Sequence, residues 1–192
     1  MLAFGNTSTP LDNNGSPPTT FDSQNEHQLS SLFTAEVLYW EEAILIWAQE
    51  WGLDPNLVAT VMQIESCGDP NATSSAGAMG LFQVMPYHFE EYENPYAPSI
   101  NAYRSLAYLS QALNNHKGNS RLAFAGYNGG ITNSFRSISA WPAETVRYTQ
   151  WGENIYQDAK AGHNYSPTLE EWLASGGASL CNQAHHRLGL AP

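Results

Sequence analysis

From Ser31 onward apolar residues return at the spacing of an α-helix, and no stretch sustains the alternation of a half-buried β-strand. Helices that each carry one apolar stripe must bury it against one another, so the pattern predicts a mostly α fold with little or no β-sheet. Val37, Trp40, Ile44, Trp47 and Trp51 form the first stripe and predict a helix over 34–51, stopped by Gly52. The second helix has the clearest start. Asp54 can cap it, Pro55 suits the first helical position, and Leu57, Val58, Val61, Met62 and Ile64 follow before Gly68, which predicts a helix over about 55–67. Further helices are expected near 98–115, ended by Lys117-Gly118, near 120–127, near 142–161, opened by Pro142, and near 168–188. The last is interrupted at Gly176-Gly177, and Thr168 with Glu171 resembles a capping box. Residues 69–97, rich in Gly, Ser, Pro and Asn, read as an irregular connection.

With 192 residues, 42% of them hydrophobic, the chain can fill one core, and a single domain over 34–192 is expected, its part 162–192 a helical extension. Half of residues 1–30 are Ser, Thr, Asn or Pro, so 1–33 reads as a flexible leader, either a tether or a disordered end. The N-terminus lacks the basic start and continuous apolar stretch of a secretory signal. No apolar run approaches the roughly 20 residues of a membrane span.

Charge excludes more. Residues 1–103 carry thirteen acids and no Lys or Arg, 104–192 carry five acids and seven bases, and the net charge is −11. Nucleic acids and anionic membranes are bound through Lys and Arg, of which this chain has few, so neither is an expected partner. Cys67 and Cys181 permit one disulfide; an exported chain favours the bridge and a cytosolic one favours two buried thiols. No metal or other cofactor is expected, because the six His are scattered and no His-Glu-x-x-His motif occurs.

Glu65 is the candidate for chemistry. It follows Val58, Val61 and Met62 by seven, four and three residues, which puts a carboxylate on an apolar helix face. It also falls in the helix's last turn, where exposed carbonyls oppose ionisation. Burial and dipole both favour the neutral acid, a group able to donate a proton near neutral pH. Beyond it, Gly77, Ala78 and Gly80 expose backbone, Ser74, Ser75 and Gln83 supply hydroxyl and amide groups, and the chain offers six Trp, ten Tyr and seven Phe. Directional polar groups and aromatic faces suit a neutral pyranose, although core packing accounts for most rings.

Four motifs in order resemble the catalytic domain of soluble lytic transglycosylases, which share a lysozyme-like fold with goose-type lysozymes. Glu65-Ser66 ends the first, and 77–86, Gly-Ala-Met-Gly-Leu-Phe-Gln-Val-Met-Pro, is similar to the second, with Phe82 in place of the usual Met. Tyr127-Asn128-Gly129-Gly130 and Glu144-Thr145-Val146-Arg147-Tyr148 resemble the third and fourth, so the likeness covers roughly 35–160. The resemblance implies that Glu65 is a single catalytic acid and that Ser74, Gln83, Tyr127, Asn128 and Tyr148 line the glycan site. Met85 is expected either against the sugar or in the core. Glu144 is expected either in the cleft or as a partner of its own helix dipole.

The same resemblance implies peptidoglycan glycan strands as substrate and cleavage without water. The substrate's 2-acetamido oxygen would attack the anomeric carbon while Glu65 protonates the departing oxygen, after which the muramyl 6-hydroxyl closes a 1,6-anhydro ring. Asp69 reads as part of a turn and Glu90, Glu91 and Glu93 as a solvated run, so no second acid is evident. A goose-type lysozyme-like hydrolase, with one of those three as helper, and a non-catalytic cell-wall binding domain are the alternatives. Peptidoglycan as substrate implies an extracytoplasmic location.

Overall fold

A computed structural model describes residues 29–191. The mostly α expectation holds: these residues form nine α-helices, and their only β pairing is two isolated bridges, Thr73 with Met79 and Met79 with Val84. The helices are α1 (Ala35–Leu38), α2 (Glu41–Trp51), α3 (Pro55–Ser66), α4 (Pro98–Asn115), α5 (Ser120–Gly129), α6 (Ile131–Ser134), α7 (Ala143–Lys160), α8 (Pro167–Trp172) and α9 (Ala178–Leu188). None is long and apolar enough to cross a membrane.

The helix expected over 34–51 is broken at Tyr39-Trp40. A tertiary contact overrides local propensity here, because the Trp40 indole N–H donates to the Gly68 carbonyl at 2.9 Å and the ring stacks on Trp47. A Cβ at Gly68 would stand 2.6 Å from the Glu36 carbonyl oxygen, so only glycine lets α1 approach the end of α3 this closely. Within the C-terminal stretch, Ser166 rather than Thr168 caps α8, accepting from Leu169 N at 3.2 Å. Pro167, at the first helical position, sets that boundary. The expected interruption at Gly176-Gly177 is a π-turn, Leu173–Gly177, with Gly176 at φ 122°.

Helix α3 is the axis of the fold. Its cap is as read, with Asp54 accepting from Asn56 N at 2.9 Å, and among its residues only Pro55 and Glu65 are not buried. Even its polar side chains are inside and bonded: Thr60 donates to the Asn56 carbonyl at 2.7 Å, and Gln63 accepts from Thr34 N at 3.2 Å. The leader expected over 1–33 lies outside the described residues as far as Gln28, but its end does not behave as a leader. Leu29, Leu32 and Phe33 are buried in the core, and Ser30 N donates to Asn56 Oδ1 at 2.8 Å, because three apolar side chains here have a hydrophobic site to fill.

Helices α5 and α7 pack closely behind α3 through small residues. A Cβ at Gly152 would stand 2.7 Å from the Phe124 ring, and one at Gly129 would meet Thr145 at the same distance. The C-terminal segment closes the other flank. Cys67 and Cys181 are joined in a disulfide with Cα atoms 4.9 Å apart, Arg187 pairs with Asp69, and His185 Nδ1 lies 2.9 Å from Glu36 Oε1. The segment 162–191 is thereby fixed to the end of α3.

Candidate active site

Glu65 reaches the floor of an open cleft of about 560 Å³ instead of pointing into the core. The apolar face on which its spacing set it is real, but α3 is covered nearly all round, and the gap in that cover is at this carboxyl. Burial pushes its pKa from 4.5 up to about 8; the neighbouring Tyr148 hydroxyl draws it down, and the Glu144 charge adds to the rise. Tyr148 is itself buried, and burial followed by the charge of Glu65 keeps its phenol protonated well above 10. No hydrogen bond of good geometry closes on the buried Tyr148 hydroxyl among the described residues, and the group it acts on is the Glu65 carboxyl.

The loop 69–97 supplies one wall. Asn101 of α4, fully buried, accepts from Phe82 N at 2.9 Å and donates to the carbonyls of Met79 at 2.8 Å and Pro95 at 2.9 Å. These bonds fix the loop across a turn at Gly80, where a Cβ would stand 2.5 Å from the Asn101 amide nitrogen. Ser74 accepts from Ala78 N at 3.0 Å, which leaves its own O–H for a ligand. Gln83 spends its amide protons on the carbonyls of Gly80 at 3.0 Å and Ala72 at 3.3 Å, so its side-chain oxygen remains as an acceptor. Met85 lines the cleft with them.

Helices α5 and α7 supply the opposite wall. Tyr127 donates to the Phe82 carbonyl at 2.8 Å and therefore accepts from Ser105, 2.7 Å away. Thr145 donates to Asn128 Oδ1 at 2.8 Å, which turns the Asn128 amide protons free. Glu144, exposed in the first turn of α7, borders the cleft beside Glu65. The structure thus gathers Glu65, Ser74, Gln83, Met85, Tyr127, Asn128 and Glu144 around one cleft, and Tyr148 joins them through an adjoining cavity that shares Glu65, Asn128 and Glu144.

The carboxylates of Asp69, Glu90, Glu91 and Glu93 stay away. Asp69 is buried, accepts from Asn71 N at 2.9 Å as an Asx turn, and pairs with Arg187. Glu93 is held by Arg104 through two hydrogen bonds of 2.8 Å, with Glu90 3.5 Å from the same guanidinium, and none of Glu90, Glu91 and Glu93 borders the cleft. Phe82, the departure from the second motif, is a core residue packed edge-on against Trp47 and does not line the cleft. The grouping of metal-type donors Glu36, Cys67 and Cys181 has its two sulfurs committed to the disulfide.

Sequence reasoning missed Asn101, Ser105 and Tyr108. Asn101 and Ser105 interrupt the buried stripe Ala102, Leu106, Leu109 and Ala112 of α4, and a polar residue on such a stripe was the available signal.

Comparison with known proteins identifies the class: residues 42–145 match the family described as Transglycosylase SLT domain, and the chain belongs to that family. It is 40% identical over 113 residues to a transglycosylase of Enterobacteria phage PRD1, which covers 58% of this chain and 40% of that one. It is 50% identical over 34 residues to an endo-type membrane-bound lytic murein transglycosylase A of Salmonella paratyphi B, 18% of this chain and 17% of that one. An X-ray structure of an inactive mutant of lytic transglycosylase Slt from Pseudomonas aeruginosa aligns with TM-score 0.44 at 20% identity, covering 79% of this chain and 24% of that one. The chain therefore spans less than half the length of each of these relatives.

Proposed function

We propose that this domain is a peptidoglycan lytic transglycosylase that cleaves the β-1,4 bond between MurNAc and GlcNAc and leaves 1,6-anhydroMurNAc ends. The observation that carries the reading is Glu65, a carboxyl group held up to about 8 at the floor of a polar cleft, and thus protonated at neutral pH. Protonated Glu65 donates to the glycosidic oxygen as the C1–O bond breaks, and the 2-acetamido oxygen of the same sugar attacks C1 to give an oxazolinium ion. Glu65, now ionised, takes the proton of the 6-hydroxyl, whose oxygen attacks C1 and expels the acetamido group. One proton leaves and one returns, and no water is consumed.

The surrounding groups fit these steps. The Tyr148 phenol has a proton to donate to the acetamido group or to the Glu65 carboxylate formed midway. Ser74 and Asn128 offer donors and Gln83 an acceptor for sugar hydroxyl and acetamido groups. Kinship with transglycosylases favours this route over a goose-type hydrolase, and the presence of every polar group of the set argues against a wall-binding domain without turnover.

Such a substrate lies outside the cytoplasmic membrane, and a disulfide persists in that oxidising setting. Digestion of purified sacculi with mass spectrometry of the products tests the activity. Anhydromuramyl ends, lighter by one water than reducing ends, are expected; mainly reducing ends make the domain a hydrolase, and strand binding without cleavage makes it a binding module.

A further inference from the structure

Across Glu65 from the main cleft lies a second cavity of about 490 Å³. Besides Ile64 of α3 and the residues it shares with the cleft, its wall holds Arg147, Tyr148 and Trp151 of α7 with Glu171, Trp172 and Ser175 of the C-terminal segment. The latter six lie beyond residue 145, where the family match ends.

The C-terminal part of this wall is firmly constructed. Trp172 is buried, and its indole covers Gly177, where a Cβ would stand 2.6 Å from Cδ2. Ser175 belongs to the π-turn, an irregularity of helices that is frequent at functional sites. The disulfide and the Arg187–Asp69 pair then lock the following helix to α3.

Arg147 gives the cavity its chemistry. It is the sole Lys or Arg of this wall, and among the described residues it has no carboxylate within 4.0 Å. The cation of the main cleft, Arg104, is by contrast neutralised by Glu93 and Glu90. The Arg147 guanidinium lies 5.6 Å from the centre of the Trp151 ring, which supports its planar fork over an aromatic face. The wall also carries the carboxyl groups of Glu65, Glu144 and Glu171, but none pairs with the guanidinium, whose free fork suits a planar, bidentate anion such as a carboxylate.

We propose that this cavity is a second binding arm of the site, in which Arg147 holds a carboxylate of the substrate strand over Trp151. The inference rests on the reading that the cleft binds peptidoglycan. Two sources share the chemistry: the lactyl carboxylate of a muramyl residue without its peptide, and the carboxylates of a peptide stem.

Strand affinity, measured by calorimetry on the Glu65→Gln protein so that nothing is turned over, separates them. Peptide-bearing strands and amidase-stripped strands are the two probes. Adding Arg147→Gln is expected to weaken binding roughly tenfold, as loss of one charge-assisted hydrogen-bonded contact does. Arg121→Gln, exposed on α5 and outside both cavities, should leave affinity unchanged. A loss on stripped strands alone assigns the lactyl group, on peptide-bearing strands alone the stem, and on both a site that accepts either. Equal affinity of the Arg147→Gln protein and its parent for both probes overturns the proposal, as does absence of binding by the parent. Failure of the unmutated protein to cleave sacculi overturns the proposed activity instead, because affinity is read without turnover.

Discussion

Cys67, two residues beyond Glu65, is bonded to Cys181 of α9, so the helix that carries the cleft's acid and a helix outside the family match share a covalent bond. The loop between them spans 114 residues. In the chain-entropy model a closure of that length restricts the unfolded state by up to ~5 kcal/mol. Replacing both cysteines with Ser is expected to lower unfolding free energy by about 2–5 kcal/mol in urea titrations, with loss of cleavage in parallel as the last turn of α3 loosens. An unchanged urea midpoint would mean that the ion pairs around α9 suffice to hold it.

Glu65→Gln keeps the hydrogen-bonding shape of the acid and removes its proton. Cleavage of sacculi should fall below detection while circular dichroism stays that of the parent. Stability carries a second signature. The native carboxyl titrates near 8 and its unfolded counterpart near 4.5, so between these values the native state holds a proton that the unfolded state has lost. Unfolding free energy of the parent therefore declines as pH rises through that window, by about 1.4 kcal/mol per pH unit for one proton, and levels off above it. The Gln variant should lack this decline and become the more stable of the two toward pH 8, as pH-dependent urea titrations would show.

Removing the Tyr148 hydroxyl separates chemistry from stability. The buried hydroxyl closes no hydrogen bond of good geometry and its influence falls on the Glu65 carboxyl, so Tyr148→Phe should change stability by no more than about 1 kcal/mol, while kcat falls at least tenfold. That hydroxyl also draws the Glu65 pKa down. Its removal should shift the alkaline limb of the residual pH–rate profile to higher pH, and a shift to lower pH would contradict the arrangement described.

Asn101 holds the loop wall by three hydrogen bonds, the one from Phe82 N buried and the other two part-buried. Asn101→Ala leaves one amide and two carbonyl partners unsatisfied and should cost about 2–4 kcal/mol of stability. Hydrogen exchange at the Phe82 amide checks it directly, since faster exchange there is the expected local consequence.

Much of this fold is readable from residue order. Asp54-Pro55 and Lys117-Gly118 mark element ends through short-range chemistry, and α3, α4, α5 and α7 fall close to their expected limits, while the short α6 is not expected from the sequence. What escapes is mostly long-range: the break at Trp40 depends on Gly68, and the burial of Leu29, Leu32 and Phe33 depends on the core they meet, whereas the cap at Ser166 instead of Thr168 is a local choice set by Pro167. The site divides in the same way. Seven of its eight candidate residues lie in the four motifs, Ser74 lies between the first two, and all meet around the clefts, whereas the part played by Asn101 depends on partners elsewhere in the fold.

The Cys67–Cys181 bond also dictates when this domain can mature. The ribosome releases Cys67 long before α9 exists, so the first sulfur waits unpaired until that helix has emerged, and final assembly of the core follows synthesis of α9. Trimming the polypeptide to its family-matched portion would strand that thiol and strip the cover from the end of α3. Any shortened version meant for crystallography or engineering must therefore retain the segment through α9.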